Sequence, residues 1–245
     1  MQSQPPVEFT DEIKSLFVAK KLPQARQRLL DTLKHQWDGH YNLIAFTYLY
    51  AENRSEEDCQ QALQWLEKGV EANEVDAKVI LGRLLVSGEL GMQDVPRGVS
   101  LLEQAAQAGV LMAVLTLAQI YKGGVEGHLD ASADLTAQYT RQAADLGDPN
   151  SAYHLALELE RAPVPDFAQA FKYFDKAAQG GLSQAMHNVG VYYLHGKGLE
   201  KNAALAMAYF TEAAKLGSPL SMLSLSLLYL DGVEVSKDRG VALSW

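Results

Sequence analysis

His154, His187 and Asn188 are the side chains with the most chemistry to offer in this chain of 245 residues, because repeat register brings them near one another on neighbouring helices. Such a group could hold a metal ion or exchange protons. Zinc takes three or four protein ligands, however, and two histidines on stacked helices more commonly make polar contacts or line a groove. His195 precedes Gly196 at a helix end, where the carbonyl groups favour a cation, so it reads as a helix-terminal charge and not as a catalyst. Cys59 follows Asp58 and has no basic neighbour in sequence to activate it, so an inert thiol is expected. It is also the one cysteine, which excludes an internal disulfide and any cysteine-rich metal or redox framework and fits a reducing compartment. No spacing among the Asp and Glu residues forces a carboxylate pair. Gly196-x-Gly198 follows a helix, whereas nucleotide fingerprints need a strand before the glycines. The expectation is no catalytic residue, no metal ligand and no cofactor.

The elements that position these side chains come from a repeat. Ala-Ala-x-x-Gly recurs at Ala105-Ala106/Gly109, Ala143-Ala144/Gly147, Ala177-Ala178/Gly181 and Ala213-Ala214/Gly217, with glycines 38, 34 and 36 residues apart. A degenerate copy, Gly69-Val70/Asn73, lies 36 residues upstream of Gly109. In the unit from Ser183 to Gly217, apolar positions recur at helical spacing over Gln184 to His195 (helix A) and Ala203 to Leu216 (helix B), separated by Gly196-Lys197-Gly198. Helix A aligns across units as Leu81-Gly82, Leu117-Ala118, Leu155-Ala156, Val189-Gly190 and Leu225-Ser226, followed by Leu85, Tyr121, Leu159, Tyr193 and Tyr229. Small residues there imply close helix crossings. Helix B carries Asp58-x3-Ala62-x2-Trp65, Asp166-x3-Ala170-x2-Tyr173 and Asp238-x3-Ala242-x2-Trp245. Gly147-Asp148-Pro149 and Gly217-Ser218-Pro219 read as a left-handed C′ residue, an N-cap oxygen and a first-turn proline, and Asn73 can adopt the glycine conformation.

Composition narrows the functions. A formal charge of -9 with scattered Lys and Arg argues against a nucleic-acid surface. No apolar run approaches the roughly 20 residues that span a bilayer, and the N-terminus lacks the basic and apolar regions of an export signal. A cytoplasmic setting is expected, or a periplasmic or secreted one if a leader was removed.

With these motifs in register, the chain resembles the Sel-one-like repeat family, relatives of the tetratricopeptide repeats. The resemblance covers roughly residues 38 to 245 and is strongest over Val189 to Gly217. The third unit departs in Ser132 and an enlarged Gly123 to Asp130 loop; the fourth replaces the glycine loop with Arg161 to Pro165. The resemblance implies an all-α, right-handed α/α superhelical solenoid whose A helices line a concave face, and an adaptor that holds partner proteins. Residues 1–9 are expected to be a disordered tail and residues 10–37 a divergent helical pair capping the stack. The array at 38–245 ends inside a repeat, so more protein is expected beyond Trp245.

On that reading the exposed stripe of each A helix falls at i, i+3, i+7 and i+10: Asp76, Val79, Arg83, Val86; Met112, Leu115, Gln119, Lys122; Asn150, Tyr153, Leu157, Glu160; Gln184, His187, Val191, Leu194; Leu220, Leu223, Leu227, Leu230. The groove is therefore expected to grade from polar to hydrophobic toward the C-terminus, and Arg83, Gln119, Lys122, Tyr153, His154, His187, Asn188, Val191, Leu223 and Leu227 are the candidate contacts for a partner protein or peptide. Further repeats covering the last leucines are the competing explanation. The leading expectation is a non-catalytic interaction scaffold, with neither nucleic acid nor membrane insertion. One alternative is an inhibitor or immunity-type protein that clamps a single effector. Another is a hydrolase like certain cysteine-rich secreted relatives described as acting on β-lactams, whose paired cysteines this chain lacks.

Overall fold

Among the described residues (7–33, 40–232 and 235–245), the chain in this computed structural model forms fourteen α-helices and no strand, apart from an isolated bridge between Val125 and Leu129. They fall into two compact units. The first contains α1 (Val7–Val18), α2 (Leu22–Leu33), α3 (Tyr41–Leu49), α4 (Glu56–Glu71), α5 (Val75–Ser87), α6 (Val95–Gln107) and α7 (Leu111–Gly123). The second contains α8 (Ala133–Asp145), α9 (Pro149–Arg161), α10 (Phe167–Gln179), α11 (Ser183–His195), α12 (Ala203–Lys215), α13 (Pro219–Asp231) and α14 (Arg239–Ser244). Within each unit helices pack in consecutive pairs (α1–α2, α3–α4, α5–α6, α9–α10, α11–α12 and α13–α14), and α3, α5, α7, α9, α11 and α13 are the A helices of the sequence pattern.

Two backbone devices explain the repeat. At each B-to-A junction the chain leaves the helix through paired bonds: Val110 N–H to Ala105 O with Gly109 N–H to Ala106 O, and likewise at Ala143/Ala144, Ala177/Ala178 and Ala213/Ala214. Ala-Ala-x-x-Gly is thus a Schellman turn whose two alanines supply the acceptors. The degenerate copy does the same, with Asn73 at φ 62° beside glycines such as Gly147 at φ 96°. At each A-to-B turn, the residue preceding helix B donates its N–H to the large residue of helix A: Asp94 to Leu85, Ser132 to Tyr121, Asp166 to Leu159, Asn202 to Tyr193 and Asp238 to Tyr229. The enlarged third loop and the glycine-free fourth close on this same bond, so the departures change loop length and keep the closing contact. Asp94, Asp166, Asn202 and Asp238 then cap the next helix through their side chains.

Packing follows the small residues. A Cβ on Gly82 would lie 2.8 Å from the Gly98 carbonyl oxygen, and one on Gly98 would lie 2.7 Å from that of Gly82, so α5 and α6 meet backbone to backbone. Gly190 faces the ring of Phe210 in the same manner. Phe174, Tyr192 and Phe210 are fully buried, each such side chain contributing roughly 1.5–3 kcal/mol of apolar burial.

The N-terminal pair is present with shifted limits. α1 starts at Val7, so residues 7–9, expected in the disordered tail, are helical; residues 1–6 and 34–39 lie outside the described residues. α2 begins at Leu22, with Pro23 in its first turn, and buries Ala25 and Leu29.

Candidate partner-binding face

The two sides of the hairpins differ in chemistry. Successive B helices are joined by polar contacts. Arg97 of α6 forms a bidentate pair with Glu67 of α4; Tyr173 and Lys176 of α10 reach Asp145 of α8 at 3.3 and 3.0 Å; Tyr209 of α12 reaches Asp175 of α10 at 3.3 Å. Burial, then the adjoining carboxylate, raises the phenol pKa values of Tyr173 and Tyr209. These surfaces satisfy one another.

The A-helix side leaves apolar groups exposed. On α13, Leu220, Leu223, Leu227 and Leu230 are 60, 56, 49 and 40% exposed, and their spacing sets them in one stripe. In register on α11, Val191 and Leu194 are half-buried against the α12–α13 core. His187 places Nδ1 3.1 Å from Ser221 Oγ of α13, with its ring 5.4 Å from that of Phe210, and burial lowers its pKa. Tyr153 is half-buried, edge-on to Phe174, and His154 is exposed beside it. Asn188 is half-buried, and Arg83, Gln119 and Lys122 are exposed. No group of three or more His, Cys, Asp or Glu residues sits at metal-binding separation among the described residues.

Near the end of this face, Lys197 Nζ lies 3.0 Å from Glu160 and within 6 Å of the rings of Phe167 and Tyr192. The Tyr192 hydroxyl is buried beside Glu160 outside good hydrogen-bond geometry, and burial first, then that carboxylate, drives its pKa far up.

Two expectations need correcting. Val79 and Val86, placed on the exposed stripe, are buried. For Val86 the cause is the Gly82–Gly98 crossing, which brings its Cγ2 to 2.8 Å from where a Gly98 Cβ would stand. The polar-to-apolar gradient also fails at its N-terminal end. A cavity of about 640 Å³ there is lined by Phe17, Leu22, Leu43, Phe46 and Tyr50 and bordered by Lys20 and Glu52. It adjoins a second of about 370 Å³ that shares Phe46 and Tyr50 and reaches Ile80, Arg83 and Leu84. Counting from Asp76 missed it. Setting Ile44-Ala45/Tyr48 in register with Leu81-Gly82/Leu85 would have placed Phe46 at the position of Arg83.

Comparison with known proteins places this geometry. The Sel1 repeat matches six segments, residues 41–74, 75–110, 113–148, 149–182, 183–218 and 219–245. The chain belongs to the Sel1 repeat family. Proteins built from Sel1 repeats are generally protein-interaction scaffolds and are typically non-catalytic. The chain is 31% identical over 153 residues to the chitin synthase regulator SKT5 of Saccharomyces cerevisiae, a match covering 59% of this chain and 22% of that protein. It therefore spans about a fifth of that relative. Among solved structures, a protective antigen of uropathogenic Escherichia coli with an SLR fold is similar at TM-score 0.65 and 23% identity, over 89% of this chain and 46% of the other. A Sel1 repeat protein from Oxalobacter formigenes is similar at TM-score 0.60 and 22% identity, over 96% of each chain. These likenesses show the helical-hairpin fold. Among the described residues no helix of these Sel1 repeats is long and apolar enough to cross a membrane.

Proposed function

We propose that the chain is a non-catalytic interaction module that holds a segment of a partner protein against its A-helix face. The observation that carries this reading is the exposed stripe Leu220, Leu223, Leu227 and Leu230. Four leucines at helical spacing on one face form a contiguous apolar surface of the kind that marks an interface, whereas the B-helix side is closed by its own ion pairs. The name of the yeast relative, a regulator of a synthase, fits a module that acts by contact.

Partners captured by the purified chain and identified by mass spectrometry supply the reagent for the test. Leu223→Asp with Leu227→Asp, and separately Arg83→Glu with Tyr153→Ala, should each weaken a captured partner at least tenfold, while Lys176→Glu on the B-helix side leaves it bound. A partner that tolerates both A-face pairs and is lost with Lys176→Glu would overturn the assignment.

A further inference from the structure

The first unit carries an aromatic groove, and its free charge specifies what it can take. Phe46 and Tyr50 of α3 stack at 4.2 Å between ring centroids, and Phe17 of α1 meets Phe46 edge-on at 5.5 Å. Tyr50 is nevertheless 62% exposed. The cavity beneath these rings, about 640 Å³, lies within the 300–1,000 Å³ typical of ligand pockets. One border is fixed by the α1–α2 turn, where Lys20 holds φ 55° and Lys21 N–H bonds to Leu16 O.

The charges are unevenly matched. Lys20 and Glu52 border the first cavity with opposite signs. In the second, Arg54 lies 3.7 Å from Glu89 and donates to the Leu49 carbonyl, so that pair is internally satisfied. Arg83 remains. Its guanidinium makes no ion pair among the described residues, and the acid in register with it two turns away on α5, Asp76, is bonded to Asn42. An unpaired cation thus stands at one end of an apolar trough, in a chain whose net charge is -9.

We propose that this groove binds an extended segment of a partner protein bearing one large apolar or aromatic residue and one acidic residue. The apolar residue fills the Phe17–Phe46–Tyr50 cavity, and the carboxylate pairs with Arg83. Spacing follows from the helices. The path from the cavity across α3 to Arg83 on α5 is about one interhelix distance plus half the cavity, roughly 10–15 Å, or about three to five residues of extended chain. The proposal rests on reading the A-helix face as the partner side, but it uses residues separate from the α13 leucines.

The test pans a phage-displayed library of random dodecapeptides on the purified full chain. Enriched peptides, synthesised with a fluorophore, are then titrated against wild type, Tyr50→Ser, Arg83→Glu and Leu223→Asp/Leu227→Asp. The sites are exposed, and circular dichroism confirms that each variant is folded. The expected motif is a Phe, Trp, Tyr or Leu followed or preceded by Asp or Glu at that spacing. Tyr50→Ser should weaken binding roughly tenfold or more, as removal of a central aromatic anchor does. Arg83→Glu should weaken it similarly, and a peptide with its acid changed to Lys should recover affinity for Arg83→Glu alone. No enrichment on wild type, enriched peptides without an acid, or no charge-swap recovery would each overturn the proposal. Peptides lost only with the α13 double variant would also overturn it while leaving the broader reading of the A-helix face standing.

Discussion

Replacing Gly190 by alanine tests whether packing or helix propensity governs these hairpins. In an unobstructed helix, Gly→Ala stabilises by about 1 kcal/mol. Here the new Cβ would stand 2.7 Å from Phe210 Cε1 and 2.8 Å from Cδ1, about 0.7 Å inside ordinary contact. Phe210 is fully buried, and the His187 ring lies 5.4 Å from it, so the ring has little room to withdraw. Overpacking of this degree costs about 1–3 kcal/mol, which leaves Gly190→Ala destabilising by roughly 0–2 kcal/mol after the propensity gain. Phe210→Leu removes the obstructing ring edge and costs about 1–3 kcal/mol by itself, less than full truncation to alanine. In that background Gly190→Ala should become favourable by up to about 1 kcal/mol, a coupling of about 1–3 kcal/mol between the sites. Urea unfolding followed by circular dichroism at 222 nm, with unchanged m-values, measures all four proteins. An equal effect of Gly190→Ala in both backgrounds, or a stabilisation of about 1 kcal/mol in wild type, would refute the packing argument.

Two other perturbations address the polar groups of the second unit. Tyr192→Phe removes a buried hydroxyl that stands beside Glu160 outside good hydrogen-bond geometry, and should leave stability unchanged or raise it by about 1 kcal/mol; a loss above about 1 kcal/mol in the same urea assay would mean the hydroxyl is bonded to Glu160. Burial lowers the pKa of His187, so its neutral form is the one the fold accommodates. The unfolded chain then binds the proton first: this contribution is complete above the ordinary histidine value of about 6.5 and declines as pH falls below it toward the depressed folded value. His187→Gln should flatten that acid limb below about pH 6.5, and an identical slope in the variant would assign it elsewhere.

What was legible in the sequence is the chemistry that the backbone completes locally. Ala143-Ala144/Gly147 and Asp148-Pro149 specify a turn whose bonds run within six residues, so their types alone predicted it, and the same logic admitted Asn73. The stripe spacing gave the exposure of Leu223 and Leu227 correctly, since α13 is an uninterrupted helix. It failed for Val86 because burial there depends on Gly98, a glycine of a different helix that no periodicity within α5 reveals. It missed the aromatic groove because Phe17, Leu22 and Phe46 come from three helices, and α3 has nine residues where the other A helices have thirteen, which obscures its register.

Each A helix also pairs a fixed position with a variable one. In every A helix the residue before the variable position is small and at least half-buried: Ala45, Gly82, Ala118, Ala156, Gly190 and Ser226. The constraint is steric at Gly82 and Gly190, where a Cβ has no room. The next residue is Phe46, Arg83, Gln119, Leu157, Val191 or Leu227, and none of these is fully buried. Neither the Schellman turns nor the A-to-B hydrogen bonds use these side chains; Phe46, Leu157 and Val191 still pack in part on neighbouring apolar groups, whereas Arg83, Gln119 and Leu227 are exposed and the fold places little demand on their chemistry. At the exposed members, a cation and an amide in the first unit and a leucine in the second, the side chain can change at little cost to the hairpins, because surface substitutions away from such constraints usually shift stability by no more than about 0.5 kcal/mol. A position that is free to vary beside a fixed one is where a repeat protein can encode a ligand. Substitutions at Arg83, Gln119 and Leu227 should therefore change what is bound while leaving the unfolding midpoint nearly constant, whereas substitutions one residue earlier should do the reverse.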